Sequence, residues 1–320
     1  MKDETVIWAL ADERAGNRAQ VLGVAARLGR QFSTKEIAYG GWARLPNSFL
    51  GASLLGVTSN TRAGLGPPWP DLVIAAGRRT APVALAVKRK SAGRTRLVQI
   101  MNPGVATQAF DLIVNPAHDG PLAGDNVMTV VGAPNQLTPE TLAAARAQWQ
   151  PAVEEYPAPR VALIVGGGTR RRRFTDRMAE DLAVHASAMA RDAGGSLLVT
   201  TSRRTGPVVE PLMAAIDCPH MLYRWGDPGE NPYRGFLACA DAIVVTGDSV
   251  SMCSEACATG VPVQIYAPHE LITDKHARFH ANLYEGGYAK PFSGELLMGV
   301  SPVLDVSGAV VRKIEARGLV

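Results

Sequence analysis

The 320 residues predict an α/β protein with two successive halves, each built on a parallel sheet. Short apolar runs alternate with longer helix-compatible stretches, the pattern of βαβ units. The alternation breaks once, at the proline-punctuated EEYPAPR near 155–160, and then restarts. The chain is also long for one hydrophobic core, since cores stop growing near about 250–300 residues.

The elements follow in order. Residues 6–11 read as a strand and 17–30 as the helix behind it. Residues 42–70 are rich in Gly, Pro, Ser and Asn, which predicts loop and irregular helix facing a cleft or solvent. A strand at 72–76 and a helix at 81–90 come next, then strands at 97–101, 111–115 and 127–131. Thr138 caps a helix over 138–154, with Pro139 at the first position, where its missing N–H is not needed. The second half reads strand 160–165, helix 175–193, strand 196–201, helix 208–216 and strand 220–223. Strand 242–246, helix 250–259 and strand 261–266 complete it. An amphipathic helix over 305–318 ends the chain. The expected organisation is a first domain over 1–155, a second over 156–300, and a tail, 301–320, packing back on the first. There is no tandem repeat.

Composition narrows the function classes. Hydrophobic residues make up 47% of the chain, and no apolar run reaches the roughly 18–20 residues that span a bilayer. The opening MKDETVIWAL is acidic and enters a strand directly, unlike a signal peptide. Cys218, Cys239, Cys253 and Cys257 make no C-x-x-C pair, and no histidine nearby completes a zinc set. They read as reduced thiols, which points to the cytoplasm. A net charge of +4 suits an anionic small molecule or an anionic membrane surface and does not call for nucleic acid.

The most informative stretch is AIVVTGDSVSMCSEACATGVPVQIY, residues 242–266. A buried strand ends in Thr246-Gly247-Asp248-Ser249, and a helix opens there. In open parallel sheets, ligands bind at the carboxyl edge of the strands. A helix start offers unpaired N–H groups and a partial positive charge, which suit phosphate. Asp248, Ser249 and Ser251 line that start. Glu255 stands where a carboxylate takes both hydroxyls of a ribose. It also reads as an acid that stabilises a helix start, although Met252 rather than Ser or Thr precedes it by three.

Other strand ends carry similar chemistry. Gly166-Gly167-Gly168-Thr169 follows VALIV. Three glycines let the backbone approach a ligand and offer N–H groups to an anion. They meet neither the dinucleotide fingerprint nor the Walker pattern, and a tight β-to-α turn explains them equally well. Arg170 to Arg173 oppose the dipole of a following helix, which a diphosphate or an acidic lipid headgroup would relieve; otherwise they are solvated. Thr201, Ser202, Arg203 and Arg204 close the next strand with hydroxyls and guanidinium groups. Trp225 and Asn231-Pro232-Tyr233 sit on a Gly/Pro-rich loop, able to stack on a base or to pack the loop down.

In the first half, Asp12 to Gln20 crowd acidic, basic and amide groups into one turn. Asp12 or Glu13 would serve as general base there, while a helix-capping Asp12 is the plain alternative. Gly77-Arg78-Arg79-Thr80 and Asn102-Pro103 end two more strands. Asn115-Pro116-Ala117-His118-Asp119 ends another, and His118 is a further candidate base or a structural histidine. Polar chemistry at successive strand ends in both halves predicts a cleft between two facing sheets.

The run Ser-x-x-Glu-Ala-x-x-x-Gly-x-Pro-Val resembles the donor-site motif of GT-B glycosyltransferases, such as the enzyme that adds GlcNAc to the peptidoglycan lipid precursor. The resemblance implies two Rossmann-like domains, Glu255 on the ribose, the small loop and helix start on the diphosphate, and Gly166–Gly168 with Thr201 and Ser202 lining the donor site. That transferase carries a histidine in its first loop; here Asn17 follows Gly16, so a base would be Asp12, Glu13 or His118. Over nearly its whole length the chain resembles the mitochondrial-fission "elongated mitochondria" proteins and their bacterial relatives. WALADERAGNRAQ, PDLVIAAGRRT, VQIMNP, FDLIVNPAHD and the 246–263 motif carry this. Plant members resemble recruiters of a dynamin-type fission protein, a role not transferred to a bacterial chain.

The leading expectation is a metal-independent glycosyltransferase using a nucleotide-diphosphate sugar of the UDP or GDP type as co-substrate, without other cofactor. Its acceptor would be lipid-linked or a saccharide, with peripheral contact at the inner membrane face. The rivals are a nucleotide-sugar 2-epimerase with a similar D-S-x-x-x-x-x-E loop, and a non-catalytic scaffold.

Overall fold

Alternating apolar strands and amphipathic helices build two separate all-parallel sheets in a computed structural model that describes residues 5–169 and 172–320. The first unit runs to Gln136 and takes in Asp305–Val320; the second is Leu137–Leu304.

The first unit contains β1 (Ile7–Asp12), α1 (Ala15–Arg27), β2 (Ser33–Ile37), α2 (Asn47–Leu50), α3 (Ser59–Ala63), β3 (Leu72–Ala76) and α4 (Ala81–Lys90). It continues with β4 (Arg96–Ile100), β5 (Leu112–Pro116) and β6 (Val127–Val130). Sheet order is β2-β1-β3-β4-β5-β6. The inner strands are apolar on both faces because helices cover both. Trp8, Leu10, Val73, Leu97 and Ile113 meet Ala84 and Val87 of α4 in one core. Burying each large side chain contributes about 1.5–3 kcal/mol. Between β2 and β3 lie the one-turn helices α2 and α3 and a 3-10 turn at Gly41–Arg44, the irregular segment expected from composition.

The second unit contains α5 (Pro139–Val153), β7 (Arg160–Val165), α6 (Asp176–Asp192), β8 (Ser196–Thr201), α7 (Val209–Ala214), β9 (His220–Tyr223), α8 (Tyr233–Cys239) and β10 (Ala242–Thr246). Then come α9 (Val250–Cys257), β11 (Val263–Tyr266), α10 (Asp274–Glu285) and β12 (Lys290–Pro291). Sheet order is β12-β11-β10-β7-β8-β9. Its core joins Leu163, Leu197 and Val199 to Leu182 and Ala186 of α6.

The units divide between Gln136 and Leu137, ahead of α5 rather than in the proline-rich stretch near 155. The reason is packing: α5 lies against α8 of the second unit. Thr138 caps α5 by a reciprocal hydrogen-bond pair with Thr141. The last helix, α11 (Val306–Ala316), packs on α1. Val310 and Ile314 are buried there. Ser307 exchanges hydrogen bonds with the Asn135 backbone at 2.9 and 2.7 Å, and Asp305 pairs with Arg27 at 3.2 Å. Gly23 permits this closeness, since a Cβ on it would lie 2.3 Å from the Asn135 carbonyl oxygen.

Four elements escaped the reading of the sequence. β2, STKEI, is an edge strand with one buried residue, so it lacks an apolar run. β12 is two residues long. α8 begins inside the Gly/Pro-rich loop, and α10 follows β11 in a stretch with few apolar residues. Among the described residues no helix is long and apolar enough to cross a membrane.

Candidate functional site

The carboxyl ends of β10, β7 and β8 are neighbours in the second sheet, so their three following turns meet. Ser249 caps α9, its hydroxyl accepting from the Met252 N–H at 3.4 Å. The N–H groups of Val250 and Ser251 precede any intrahelical acceptor and bond nothing among the described residues. They leave an anion-ready helix start.

Asp248, just before that start, bonds within the protein. Its side chain is buried, and Oδ2 accepts from Gly167 N–H at 3.0 Å and from Arg204 at 2.7 Å. Oδ1 is buried without a hydrogen-bond partner. It lies where a Cβ on Gly166 would sit, 2.3 Å away. A Cβ on Gly167 would lie 2.2 Å from the Arg204 carbonyl oxygen. Gly166 N–H donates to Thr246 Oγ1 at 2.7 Å. Two glycine N–H groups that the sequence offers to an anion thus bond within the protein. These glycines are required by the close approach of Asp248 and of the Arg204 backbone.

The β8 turn seals the layer. Ser202 donates to the Gly166 carbonyl at 2.9 Å, and Thr205 donates to the same oxygen. Arg204 reaches the Gly167 and Gly168 carbonyls at 3.3 and 3.4 Å. Thr201 Oγ1 accepts from the Trp225 N–H at 2.9 Å. This bond fixes the loop that presents the Trp225 ring, which is 56% exposed.

Glu255 lies farther along α9. Its Oε2 accepts from the Tyr233 hydroxyl at 2.5 Å. Burial raises the Glu255 carboxyl above its ordinary range, partly offset by that hydroxyl and by Arg234. Burial, and then the Glu255 charge, push the Tyr233 phenol well up.

Sequence reasoning missed His276 and His280, stacked with ring centroids 6.4 Å apart on α10. A Cβ on Gly247 would lie 2.5 Å from His280 Cε1, so α10 seats on the β10 turn. Burial lowers the His276 pKa, and the Asp248 charge opposes that shift. The i, i+4 spacing in HARFH was the available signal. Beside them, Tyr266, Ile272, His280, Tyr284 and Phe292 line a cavity of about 470 Å³.

In the first unit, buried Asp12 accepts from Arg14 N–H and from the Asn17 amide, each at 3.0 Å. Asn17 in turn rests on Gly77, where a Cβ would meet it at 2.7 Å. Asp12 is therefore the anchor of the β1–α1 turn; Arg14 occupies the cap position without a side-chain bond. Glu13 is solvent-facing and pairs with Arg79 at 3.0 Å. Arg79 also stacks 4.4 Å over the Tyr39 ring, and the Tyr39 hydroxyl is buried without a hydrogen-bond partner. His118 is buried in the turn after β5. Of the three candidate bases, only Glu13 is open to solvent.

Arg170 and Arg171 lie outside the described residues. Arg172 and Arg173 precede α6, which starts at Asp176 under a Thr175 cap. All four cysteines are buried and unpaired with one another. Among the described residues, no group of three or more His, Cys, Asp or Glu side chains could hold a metal.

A family model described as mitochondrial fission ELM1 matches residues 15–317. An uncharacterized Rickettsia prowazekii (strain Madrid E) protein, RP120, is 30% identical over 336 residues, covering 91% of this chain and 92% of its own length. The Arabidopsis thaliana mitochondrial fission protein ELM1 is 28% identical over 300 residues, covering 85% of this chain and 70% of itself. Among solved structures, the Neisseria meningitidis UDP-GlcNAc 2-epimerase bound to UDP-GlcNAc aligns with a TM-score of 0.51. Its identity is 13%, over 98% of this chain and 93% of that one. At that identity the likeness concerns the fold, which is the two-domain, Rossmann-like GT-B class.

Proposed function

The chain belongs to the mitochondrial fission ELM1 family, and we propose that it is a GT-B-type glycosyltransferase whose second unit holds a nucleotide-diphosphate sugar. One observation carries this reading. The N–H groups of Val250 and Ser251 open at a strand's carboxyl edge, and a carboxylate, Glu255, stands on the same helix. That pairing suits a diphosphate followed by a ribose diol. The exposed Trp225 ring supplies a face for the base.

In this reading Asp248 is not a ligand. It locks the three turns in place, and Arg204 neutralises it, so the diphosphate does not meet an unpaired carboxylate. The sugar would be transferred when an acceptor hydroxyl attacks the anomeric carbon. The bond to the diphosphate breaks, and the acceptor proton passes to a general base. Glu13, solvent-facing with one oxygen on Arg79, suits that role better than Asp12 or His118, which are both buried. Charge on the departing nucleoside diphosphate is met by the helix start, so transfer needs no metal. Activity unchanged by EDTA is the expected result.

Calorimetry and thermal shift with UDP, GDP and their sugars test the donor site. Binding by one nucleotide family is expected; no binding by any of them to folded protein would sink the proposal. A second reading, a nucleotide-sugar 2-epimerase, is favoured by the Asp248-Ser249-x5-Glu255 spacing and by the fold of the Neisseria enzyme. NMR of a nucleotide sugar incubated with protein alone separates the two. An epimerase converts the sugar without acceptor; a transferase leaves it unchanged.

A further inference from the structure

Of the large hydrophobic side chains exposed among the described residues, four lie in one short stretch of the first unit. Trp42 is 66% exposed, Leu45 38%, Phe49 80% and Leu55 59%. Soluble surfaces seldom expose several large apolar groups together. The stretch is folded, not loose. Gly40 N–H donates to the Gly56 carbonyl at 3.0 Å, and Gly56 abuts Ala43, where a Cβ would sit 3.3 Å from the Ala43 Cα. These contacts set the chain beside Trp42 against the chain beside Leu55. Leu45 leads into α2 in extended backbone, and Phe49 lies within that helix.

Its charge is one-sided. From Ile37 to Pro70 the chain has no Asp or Glu, while Arg44 and Arg62 are exposed. Its place is also fixed. Asn47, buried in α2, donates to the Arg78 and Pro103 carbonyls at 2.6 and 2.7 Å. Exposed Arg78 returns a bond to the Leu45 carbonyl at 3.0 Å. Residues 78 and 103 follow β3 and β4, so the lobe is strapped to the carboxyl edge of the first sheet. Asp12, Glu13 and Arg79 stand at that same edge. The nearest acids there are already engaged: Asp12 by Arg14 and Asn17, and Glu13 by Arg79.

We propose that the 42–55 lobe docks on an anionic lipid surface, with Trp42, Phe49 and Leu55 entering the interface and Arg44, Arg62 and Arg78 facing the headgroups. Aromatic rings prefer the bilayer interface, and basic groups within a Debye length are drawn to acidic lipid. Argument from charge selects the occupant: an acid-free, arginine-bearing apolar lobe complements an anionic bilayer. Docking there brings the first unit's strand-end residues to the membrane. Combined with the proposed transfer reaction, on which this last step rests, it names the acceptor class as a lipid-anchored hydroxyl.

The test is flotation of the full chain with vesicles of phosphatidylcholine alone and of phosphatidylcholine mixed with phosphatidylglycerol, without nucleotide. Flotation with the mixed vesicles is expected, weakening as salt rises. The double variant Trp42→Ser/Phe49→Ser should lose at least about tenfold in partition, and Arg44→Glu should also weaken it. Both change exposed side chains, and circular dichroism checks that they remain folded. Glu255→Gln should float like the parent, so membrane docking and nucleotide binding fail separately. Absent flotation of the parent, or equal flotation of the double variant, overturns the proposal. So does concentration-dependent dimerisation that the double variant abolishes while flotation is absent, which would assign the lobe to a second copy of the chain.

Discussion

At the residue scale, burial works against ionisation of Glu255. Burial raises its pKa, so the folded state binds the proton more tightly than the unfolded state does. Its contribution is favourable below the unfolded pKa and is lost as pH rises through the raised folded value. Above that value the charged carboxylate weighs against the free protein. Glu255→Gln should therefore raise the melting temperature of the unliganded protein at neutral pH, since an amide oxygen still accepts from Tyr233. The same change should weaken nucleotide binding by about 1.5–3 kcal/mol, the worth of hydrogen bonds to a charged acceptor. Thermal melts with and without nucleotide read both effects, and tighter binding by the variant would remove Glu255 from the ribose. Asp248 behaves differently. Its carboxylate is buried against Arg204 and Gly167 N–H. Arg204→Ala leaves that charge uncompensated and should cost about 2–3 kcal/mol in denaturant unfolding, discounted from the fully buried case because Arg204 is partly exposed. Gly166→Ala forces a methyl against Asp248 and should cost about 1–3 kcal/mol by overpacking.

At the element scale, α11 is the part of the first unit most distant in sequence. It buries Val310, Val311 and Ile314 and closes α1. Deleting residues 305–320 should lower the first unit's unfolding transition by several kcal/mol, at about 1.5–3 kcal/mol for each large apolar side chain uncovered. The second unit contains neither α1 nor α11. Nucleotide binding by the truncated chain should persist in calorimetry; its loss would tie the nucleotide site to the first unit. The β8 and β10 turns are the other decisive elements. They are short and polar, yet Thr205, Ser202 and Asp248 bind them into one layer through the glycine carbonyls and N–H groups. A loop that looked permissive in sequence is thereby rigid, which suits a site whose donors must be in place before the ligand arrives.

At the scale of the whole molecule, a nucleotide that binds only the folded chain stabilises it by mass action. At a hundred times its dissociation constant it should add about 2.7 kcal/mol, and a matched nucleotide that leaves the melting curve unmoved would count against the donor site. The two parallel sheets, the α9 helix start and the strand-end placement of Asp12, Thr201 and Asp248 were legible in the sequence. Buried strands in parallel sheets are continuous apolar runs, and β3, β7, β8 and β10 end where those runs end. Helix caps are equally local, as Thr138 illustrates. Distant partners were not legible. Nothing local ties Tyr233 to Glu255, Asn17 to Gly77 or α11 to α1, because these pairs exist only once the sheets have formed. Polarity also misled where packing decides. Asp12 and Asp248 read as acids available to a ligand, and the folded chain turns both inward to hold turns together. The sequence by itself determined the buried strands, the helices between most of them and the edge at which polar groups gather, since these follow from hydrophobic periodicity and turn chemistry. Only the tertiary structure decided which of those groups face solvent and which bond to the protein, because that choice depends on contacts between residues far apart in the chain.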